Sequence, residues 1–447
     1  MNWAPYPKYK ESGVQWLGEV PEHWLVTKIK FYYDLQLGKM LQPEPYNESD
    51  VEVKYLKAQH VHWNKIKYDE PPIMWASTND IQKYSVQKGD LLICEGGDVG
   101  RAALLDEIDS SFIIQNALHR VRAKRKTCVR FLLYLMQHIA GAKWFDILCN
   151  KATIAHLTSE KLGALELALP PLIDQTAIAD FLDRETGRID TLTAKNQKLI
   201  ELLKEERSAL ISRTVTRGLP EDAAIEYGLE SHTSFKKSGV QWLGDVPIRW
   251  EVKRSDGIFV SDRNQMMPDS FRNEDIFHYS IPAVQEYGTG IIEEGESIAS
   301  AKQLITEKCI LVSKLNPRKA TICIAEPKAL KTLCSTEFVV LKARKCDLNY
   351  LRYFVQSELF RQELDSKVQS VTRSHQRAAP EDVYKFWAAW PLFTEQTAIA
   401  NFLDRETGRI DKLVEKVKAL ITSLQEYRTA IITAAVTGKI DVRESTA

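Results

Sequence analysis

The 447-residue sequence predicts an α+β chain: two mixed α/β domains in tandem, separated by two long helices that pair as an antiparallel coiled coil with near two-fold internal symmetry. Three observations carry this expectation. Gln175–Asp190 reads QTAIADFLDRETGRID and Gln396–Asp411 reads QTAIANFLDRETGRID, so sixteen positions differ only where Asp180 is replaced by Asn401. A second block, SGVQWLGEVPEHW from Ser12, returns as SGVQWLGDVPIRW from Ser238. The offsets are 221 and 226 residues, so a fixed frame encloses material of varying length. Each QTAIA block also opens a sustained apolar heptad pattern. A chain of this length exceeds one ordinary core. The expected division is residues 1–170 as the first mixed domain, 171–218 as the first long helix, 219–391 as the second domain with an N-terminal linker, 392–438 as the second long helix and 439–447 as a tail.

The Ser12–Trp24 block packs glycine, proline and two tryptophans into a short irregular entry segment, and a strand is expected from about Leu25. Strand-like runs follow at Asp90–Cys94 and Ser111–Ile114, separated by turn signals at Lys88-Gly89-Asp90 and Glu95-Gly96-Gly97-Asp98. Helical spacing of Phe131, Leu132, Leu135, Met136 and Ile139 predicts a helix over Val129–Phe145. The second domain repeats the plan, with strands at Ile310–Val312 and Glu337–Leu341 and a helix over Leu348–Leu364. A Thr-x-x-His element closes each domain, at Thr153–His156 and Thr372–His375. The basic runs His119–Lys126 and Lys342–Lys345 read as polar turns between strand and helix.

In the first long helix the positions stepping alternately by four and three from Ile178 include Ile189, Leu192, Asn196, Leu199 and Leu203. In the second they include Ile410, Leu413, Val417, Leu420 and Leu424. A heptad repeat of this kind is a coiled-coil seam. Gln175–Arg213 would form a rod on the order of 58 Å, which is a spacer. Pairing the rods antiparallel brings Asn196 near Val417, where Asn196 either specifies register or sits solvated at the seam's edge. Prolines 170, 171 and 391 mark the entries, and Gly218 and Gly438 the exits.

Sixty basic and sixty acidic residues leave no net charge, so the chain is not a general polyanion binder, and only local basic faces remain. Seven scattered cysteines without a CxxC pair indicate neither a disulfide framework nor zinc. With no apolar run near ~20 residues and no signal-type N-terminus, a soluble intracellular protein is expected.

No catalytic constellation is present in the sequence: there is no GxxxxGK[ST], HExxH or GxSxG. Glu95–Gly100 has suggestive glycines, yet it joins two strand-like runs and reads as a β-turn with a bulge. His60-Val-His62-Trp63-Asn64-Lys65 offers two histidines but no third metal ligand. Loop residues suited to phosphate anchoring and base-edge reading recur at matching places. They are Arg101, Lys151, Thr153 and His156 in the first domain, and Arg318, Lys319, Arg373, Ser374, His375, Gln376 and Arg377 in the second. On the helices, Asp183, Glu185, Arg184 and Arg188, repeated as Asp404, Glu406, Arg405 and Arg409, could form solvated ion pairs. Packing restrains mainly the seam, so identity at outward positions points to one partner surface used twice, with Asp183, Arg184, Arg188, Asp404, Arg405 and Arg409 as its candidates.

The SGVQWLGEVPEHW opening, the KGDLLI turn-strand and the tandem PPLIDQTAIADFLDRETGRID helix start resemble the DNA-specificity subunit of type I restriction-modification systems, over essentially the whole chain. The resemblance implies two target-recognition domains, each reading one half of a bipartite, asymmetric sequence in double-stranded DNA. It implies no catalytic activity and no cofactor in this chain. Two adenine-methyltransferase subunits using S-adenosylmethionine would dock on the helices, and restriction would need further ATP- and Mg-dependent motor subunits, all in the cytoplasm. Recognition residues do not carry over. A second class of reading, a coiled-coil adaptor that organises protein partners without touching DNA, would be separated by measuring affinity for specific and random duplexes across salt concentrations, since DNA binding through several phosphates must weaken steeply with salt.

Overall fold

The computed structural model describes residues 3–106, 112–149, 156–261, 264–368 and 376–443. Two compact units make up the chain: residues 1–197 with 419–447, and residues 198–418. The long helices are Leu172–Arg217 and Phe393–Val436. Each therefore contributes one end to each unit. Both begin directly after proline-containing turns, and both end at a left-handed glycine, Gly218 (φ +85°) and Gly438 (φ +72°), where a side chain would strain the backbone.

In the first unit, four antiparallel strands lie in the order Ala102–Leu104, Leu91–Cys94, Leu118–Ala123, Tyr33–Leu37. A second sheet has Val51–Leu56 at its centre, parallel to Phe112–Ile114 and antiparallel to Ile73–Ala76. The helix Val129–Gly141 buries Phe131, Leu132, Leu135, Met136 and Ile139 in one core with Ile178, Phe181 and Leu182 of the first long helix and Ile431, Ile432 and Ala435 of the second. Full burial of a side chain of this size contributes about 1.5–3 kcal/mol. The unit's helix pair is thus part of its core.

The second unit repeats the plan. Its four-stranded sheet runs Phe259–Ser261, Phe338–Ala343, Cys309–Ser313, Ile322–Ala325, and a five-stranded sheet contains the parallel pair Asp275–Tyr279 and Lys331–Ser335. The core joins Tyr350, Leu351 and Phe354 to Ile211 and Val215 of one long helix and Ile399, Phe402 and Leu403 of the other.

Several sequence expectations change. The helix from Val129 stops at Gly141, and a short helix Trp144–Leu148 restarts after left-handed Lys143 (φ +56°). The helix from Leu348 is two helices, Leu348–Gln356 and Glu358–Ser366, because Ser357 turns extended and caps the second. The basic runs are turns only at their ends, Lys124–Lys126 and Arg344–Lys345: Leu118–Ala123 is a central strand, with His119 and Arg120 buried. Arg120 donates to the carbonyls of Lys83 (3.0 Å) and Ser85, and Arg122 grips Asp90 through two bonds of 2.6 and 2.8 Å. Lys342, likewise on a strand, meets Glu307 at 3.2 Å. Long cationic stems can lie along a sheet when their heads find partners.

The seam is corrected by one residue at four of its ten named positions. Leu192 and Leu199 are 47% and 39% exposed, and Leu413 and Leu420 are 44% and 45% exposed. Ile189, Leu203 and Val417 are buried, and Asn196, Ile410 and Leu424 are half-buried. The covered stripe runs through Thr193, Ile200 and Arg207, and through Val414, Ile421 and Arg428. Neighbouring positions are both apolar at 199/200, 413/414 and 420/421, so periodicity alone does not choose between the two edges of a wide stripe. Ion pairs accompany the observed choice: Arg207 reaches Asp411 (2.9 Å) within the second unit, and Arg428 reaches Asp190 (2.9 Å) within the first. Asn196 gives its amide to the Leu192 carbonyl of its own helix (2.9 Å).

Candidate nucleic-acid interface

Antiparallel pairing decides which loops meet. In the first unit, strands Tyr33–Leu37 and Leu91–Cys94 end at the edge where Leu118–Ala123 begins. Backbone bonds stitch the emerging loops into a rim. Gly38 N–H donates to the Leu118 carbonyl, Lys39 to Ile114, Asn116 to Lys39, Glu95 to Ala117 and Leu157 to Glu95, all at 2.8–3.0 Å. The approach at Gly38 is so close that a Cβ there would lie 2.3 Å from the Gln115 carbonyl oxygen. Buried His119 reaches up from the sheet, its Nε2 2.7 Å from the Leu157 carbonyl. Burial holds its pKa below the ordinary value, so the neutral ring with Nε2–H is the form that fits.

The second unit repeats two of these five bonds. Lys314 N–H donates to the Glu337 carbonyl and Ala378 N–H to Lys314, matching the Glu95–Ala117 and Leu157–Glu95 bonds. Asn316 N–H meets the Gln376 carbonyl at 2.7 Å. The intervening turn, Pro317–Lys319, is flanked by Asn316 (φ +49°) and Ala320 (φ +46°), both left-handed. For Ala320 this conformation costs roughly 1–2 kcal/mol, strain of the kind that gathers at functional loops.

Of the predicted contact residues, Arg101 and His156 fall on the first rim, and Arg318, Lys319, Gln376 and Arg377 come together on the second. Arg101 donates to the Ala58 carbonyl (3.0 Å) and pairs with Asp98 (3.4 Å), so part of its donor set is spent inside the domain. His156 is exposed, and its carbonyl accepts from Lys161 at 3.3 Å. Arg318 donates to Gln376 Oε1 and faces Asp365 at 3.3 Å, while Arg377 holds Glu337 through two bonds of 3.2 Å. Lys319 is exposed beside them. Lys151, Thr153, Arg373, Ser374 and His375 lie outside the described residues. The histidine-rich stretch forms a small hairpin, Val61–His62 with Lys65–Ile66, in which buried His60 spends Nδ1 on the Lys57 N–H (3.1 Å). Among the described residues no group of side chains could hold a metal ion.

On the helices, the repeated acidic positions turn inward to their own domains. Asp183 takes Arg130 and the Tyr134 hydroxyl (2.7 Å), and Tyr134 also meets Thr186 at 3.2 Å. Asp404 takes Arg352 (2.6 Å) and Tyr353 (2.7 Å), and Tyr353 meets Thr407 at 3.1 Å. Gln175 caps the Cys128 N–H at 2.8 Å, as Gln396 caps that of Asp347. Packing therefore restrains more of the repeated block than its seam. Arg184 and Arg405 lie over Phe181 and Phe402, and Arg405 also pairs with Glu226 and Glu406. Arg188 and Arg409, paired with Glu185 and Glu406, remain 67% and 75% exposed. Sequence reasoning placed the exposed leucines 192, 199, 413 and 420 in the seam, one residue from the covered stripe. It missed Met40, Leu41 and Tyr46 on the first rim, whose signal is a run of apolar and proline residues just after a strand-ending glycine.

A family model described as the type I restriction modification DNA specificity domain matches residues 52–202, which include the Glu95, Ile114–Leu118 and Leu157 parts of the first rim and the start of the long helix, but not Gly38–Tyr46. Along nearly its full length the chain also aligns with the MjaVIII type I restriction enzyme specificity subunit of Methanocaldococcus jannaschii, at 22% identity over 461 residues and 97% of each chain. These matches make the chain similar to type I restriction-modification specificity subunits. A second M. jannaschii specificity subunit, provisionally named MjaX, is 26% identical over 257 residues, so that alignment spans about half (55%) of either chain. Two solved structures share the fold of this chain. One, from work on complex assembly and conformational transition of the type I R-M system, covers 94% of this chain and 99% of its own at TM-score 0.64 and 16% identity. The other, the HsdS subunit of Thermoanaerobacter tengcongensis, covers 94% and 98% at TM-score 0.54 and 15% identity.

Proposed function

We propose that this chain is the DNA-reading subunit of a type I restriction-modification complex, with each rim recognising one half of a bipartite duplex sequence. The observation that supports this most directly is the rim itself: one backbone arrangement built twice, from the same sheet edge, with different side chains. That is what two readers of two different half-sites require. The chain supplies specificity, and chemistry resides on partners: methyltransferase subunits carrying S-adenosylmethionine, and ATP- and Mg-dependent motor subunits, in the cytoplasm. Among the described residues no helix is long and apolar enough to cross a membrane.

The long helices act as spacer and docking surface. Arg184, Arg188, Arg405 and Arg409, with the exposed leucines 192, 199, 413 and 420, form the face offered to two methyltransferase subunits. In the assembled complex, methylated adenines should map to one bipartite sequence with a constant gap, and affinity for that duplex should fall steeply with salt. Methylation scattered without sequence preference, or equal affinity for random duplexes, would sink the reading. Equal insertions in both helices should lengthen the gap, and an unchanged gap would remove the spacer role.

A further inference from the structure

The first rim carries a feature that cationic phosphate contacts do not explain. Met40, Leu41 and Tyr46 are 74%, 48% and 80% exposed on the loop that follows strand Tyr33–Leu37. Large apolar side chains this open mark an interaction surface when they are held in place, and these are. Buried Gln42 and Asp50 close the base of the loop through an Nε2–carboxylate bond of 2.8 Å, and Asp50 also accepts the Tyr46 N–H at 2.9 Å. Pro43 and Pro45 stiffen the span between them. At the other end, Lys39 is bonded into the rim through Ile114 and Asn116 and pairs with Asp80 at 3.0 Å.

The loop is thus a rigid projection continuous with the edge that faces the proposed duplex. Its immediate sequence holds Glu44 and Glu48 and no cation beyond the engaged Lys39, so it is poorly suited to phosphates. Resting on the DNA-reading assignment above, we infer that Met40, Leu41 and Tyr46 read the first half-site by apolar contact with thymine 5-methyl groups in the major groove. The thymine methyl is the one apolar group that the major-groove edges present, and it distinguishes T from C without a hydrogen bond.

The test uses the chain assembled with its methyltransferase subunits and the mapped recognition duplex. Each thymine of the first half-site is replaced singly by deoxyuridine, which removes one methyl and keeps every hydrogen-bonding group. At one or more positions wild-type affinity should fall about fourfold, the worth of one buried methyl-sized group. The M40S/L41S/Y46S variant should bind the thymine duplex more weakly and lose the thymine–deoxyuridine difference. Its thermal midpoint and its response to second half-site mismatches should match wild type, which separates lost reading from lost folding. Equal binding of thymine and deoxyuridine duplexes by wild type at every position overturns the inference, as does a variant that keeps the full difference, or a first half-site without thymine. Failure of wild type to prefer its mapped duplex over random DNA would instead overturn the DNA-reading assignment itself.

Discussion

In the first domain the rim offers Met40, Leu41 and Tyr46, with Arg101 engaged by Ala58 and Asp98; in the second, two equivalent backbone bonds hold Lys314, Lys319 is exposed, Arg318 meets Gln376 and Asp365, and Arg377 holds Glu337. Glu95 and Lys314 occupy equivalent places in the stitching and carry opposite charges. The bonds that build the rim are backbone to backbone, so they fix where a side chain starts without fixing what it is. Such a scaffold can exchange its reading chemistry without refolding. On the proposed DNA-reading role, the two half-sites would be met by different physics: apolar base contact in the first, cation-rich contact in the second.

The largest way to break this comparison is Gly38→Ala. Its Cβ would meet the backbone at Gln115, which cannot swing aside like a side-chain tip, so the first rim must move at a cost of about 3 kcal/mol or more. Thermal unfolding should show a destabilised first unit, and methylation at the first half-site should fail while affinity for second half-site contacts persists. An unchanged midpoint would mean that the rim is looser than its bonds imply.

Next in size is R318A with K319A. If both cations neutralise phosphates, the slope of log affinity against log salt should become shallower by about 0.9 for each. The Tyr46→Ser change should leave that slope alone. Equal slopes for the second-rim variant and wild type would deny the cationic character assigned to the second domain.

A pH series sharpens the contrast further. Burial holds His119 neutral in the folded chain, with its pKa below the ordinary 6.5. The unfolded chain takes up that proton as pH falls past 6.5, and the folded chain resists until lower pH. Stability linked to His119 is therefore present above 6.5 and is lost as pH falls from there through the folded value. Val339 stands at the equivalent sheet position, opposite Val312 as His119 is opposite Ile93. H119Q should flatten the acid side of the unfolding profile relative to wild type, while V339A should shift the whole profile without changing its slope. An H119Q profile parallel to wild type below pH 6.5 would exclude this histidine as the titrating group.

The sequence made the repeated frame legible because its restraint is strong and local: Phe181 and Leu182 share a core with the helix from Val129, whose Tyr134 meets Asp183 and Thr186, and Phe402 and Leu403 share a core with the helix from Leu348, whose Tyr353 meets Asp404 and Thr407. What could not be read was orientation. Leu192 and Thr193 are adjacent on a wide stripe, and only the long-range Arg428–Asp190 and Arg207–Asp411 pairs, 238 and 204 residues apart, reveal the inward edge. The rims were half legible. Arg318 and Gln376 were each visible as loop residues, yet their meeting depends on strand pairing far from either. Met40 and Tyr46 look like ordinary core candidates until the fold leaves them outside.

Those helix ion pairs supply the smallest test, because they belong to the frame and should behave alike in both copies. Arg207→Ala and Arg428→Ala each remove a two-bonded contact to an exposed aspartate, and such pairs are worth about 0.2–1 kcal/mol, less at high salt. Arg428 should lie at the upper end, since it is less exposed (21% against 34%) and also donates to Gln137 at 3.3 Å. Through Gln137 it reaches Asn64 of the small hairpin, 2.6 Å further on, an extra strut in the first domain. If chemical denaturation gave Arg207→Ala and Arg428→Ala equal losses, that strut would carry no stability, and the two copies would be equivalent in frame as well as in backbone.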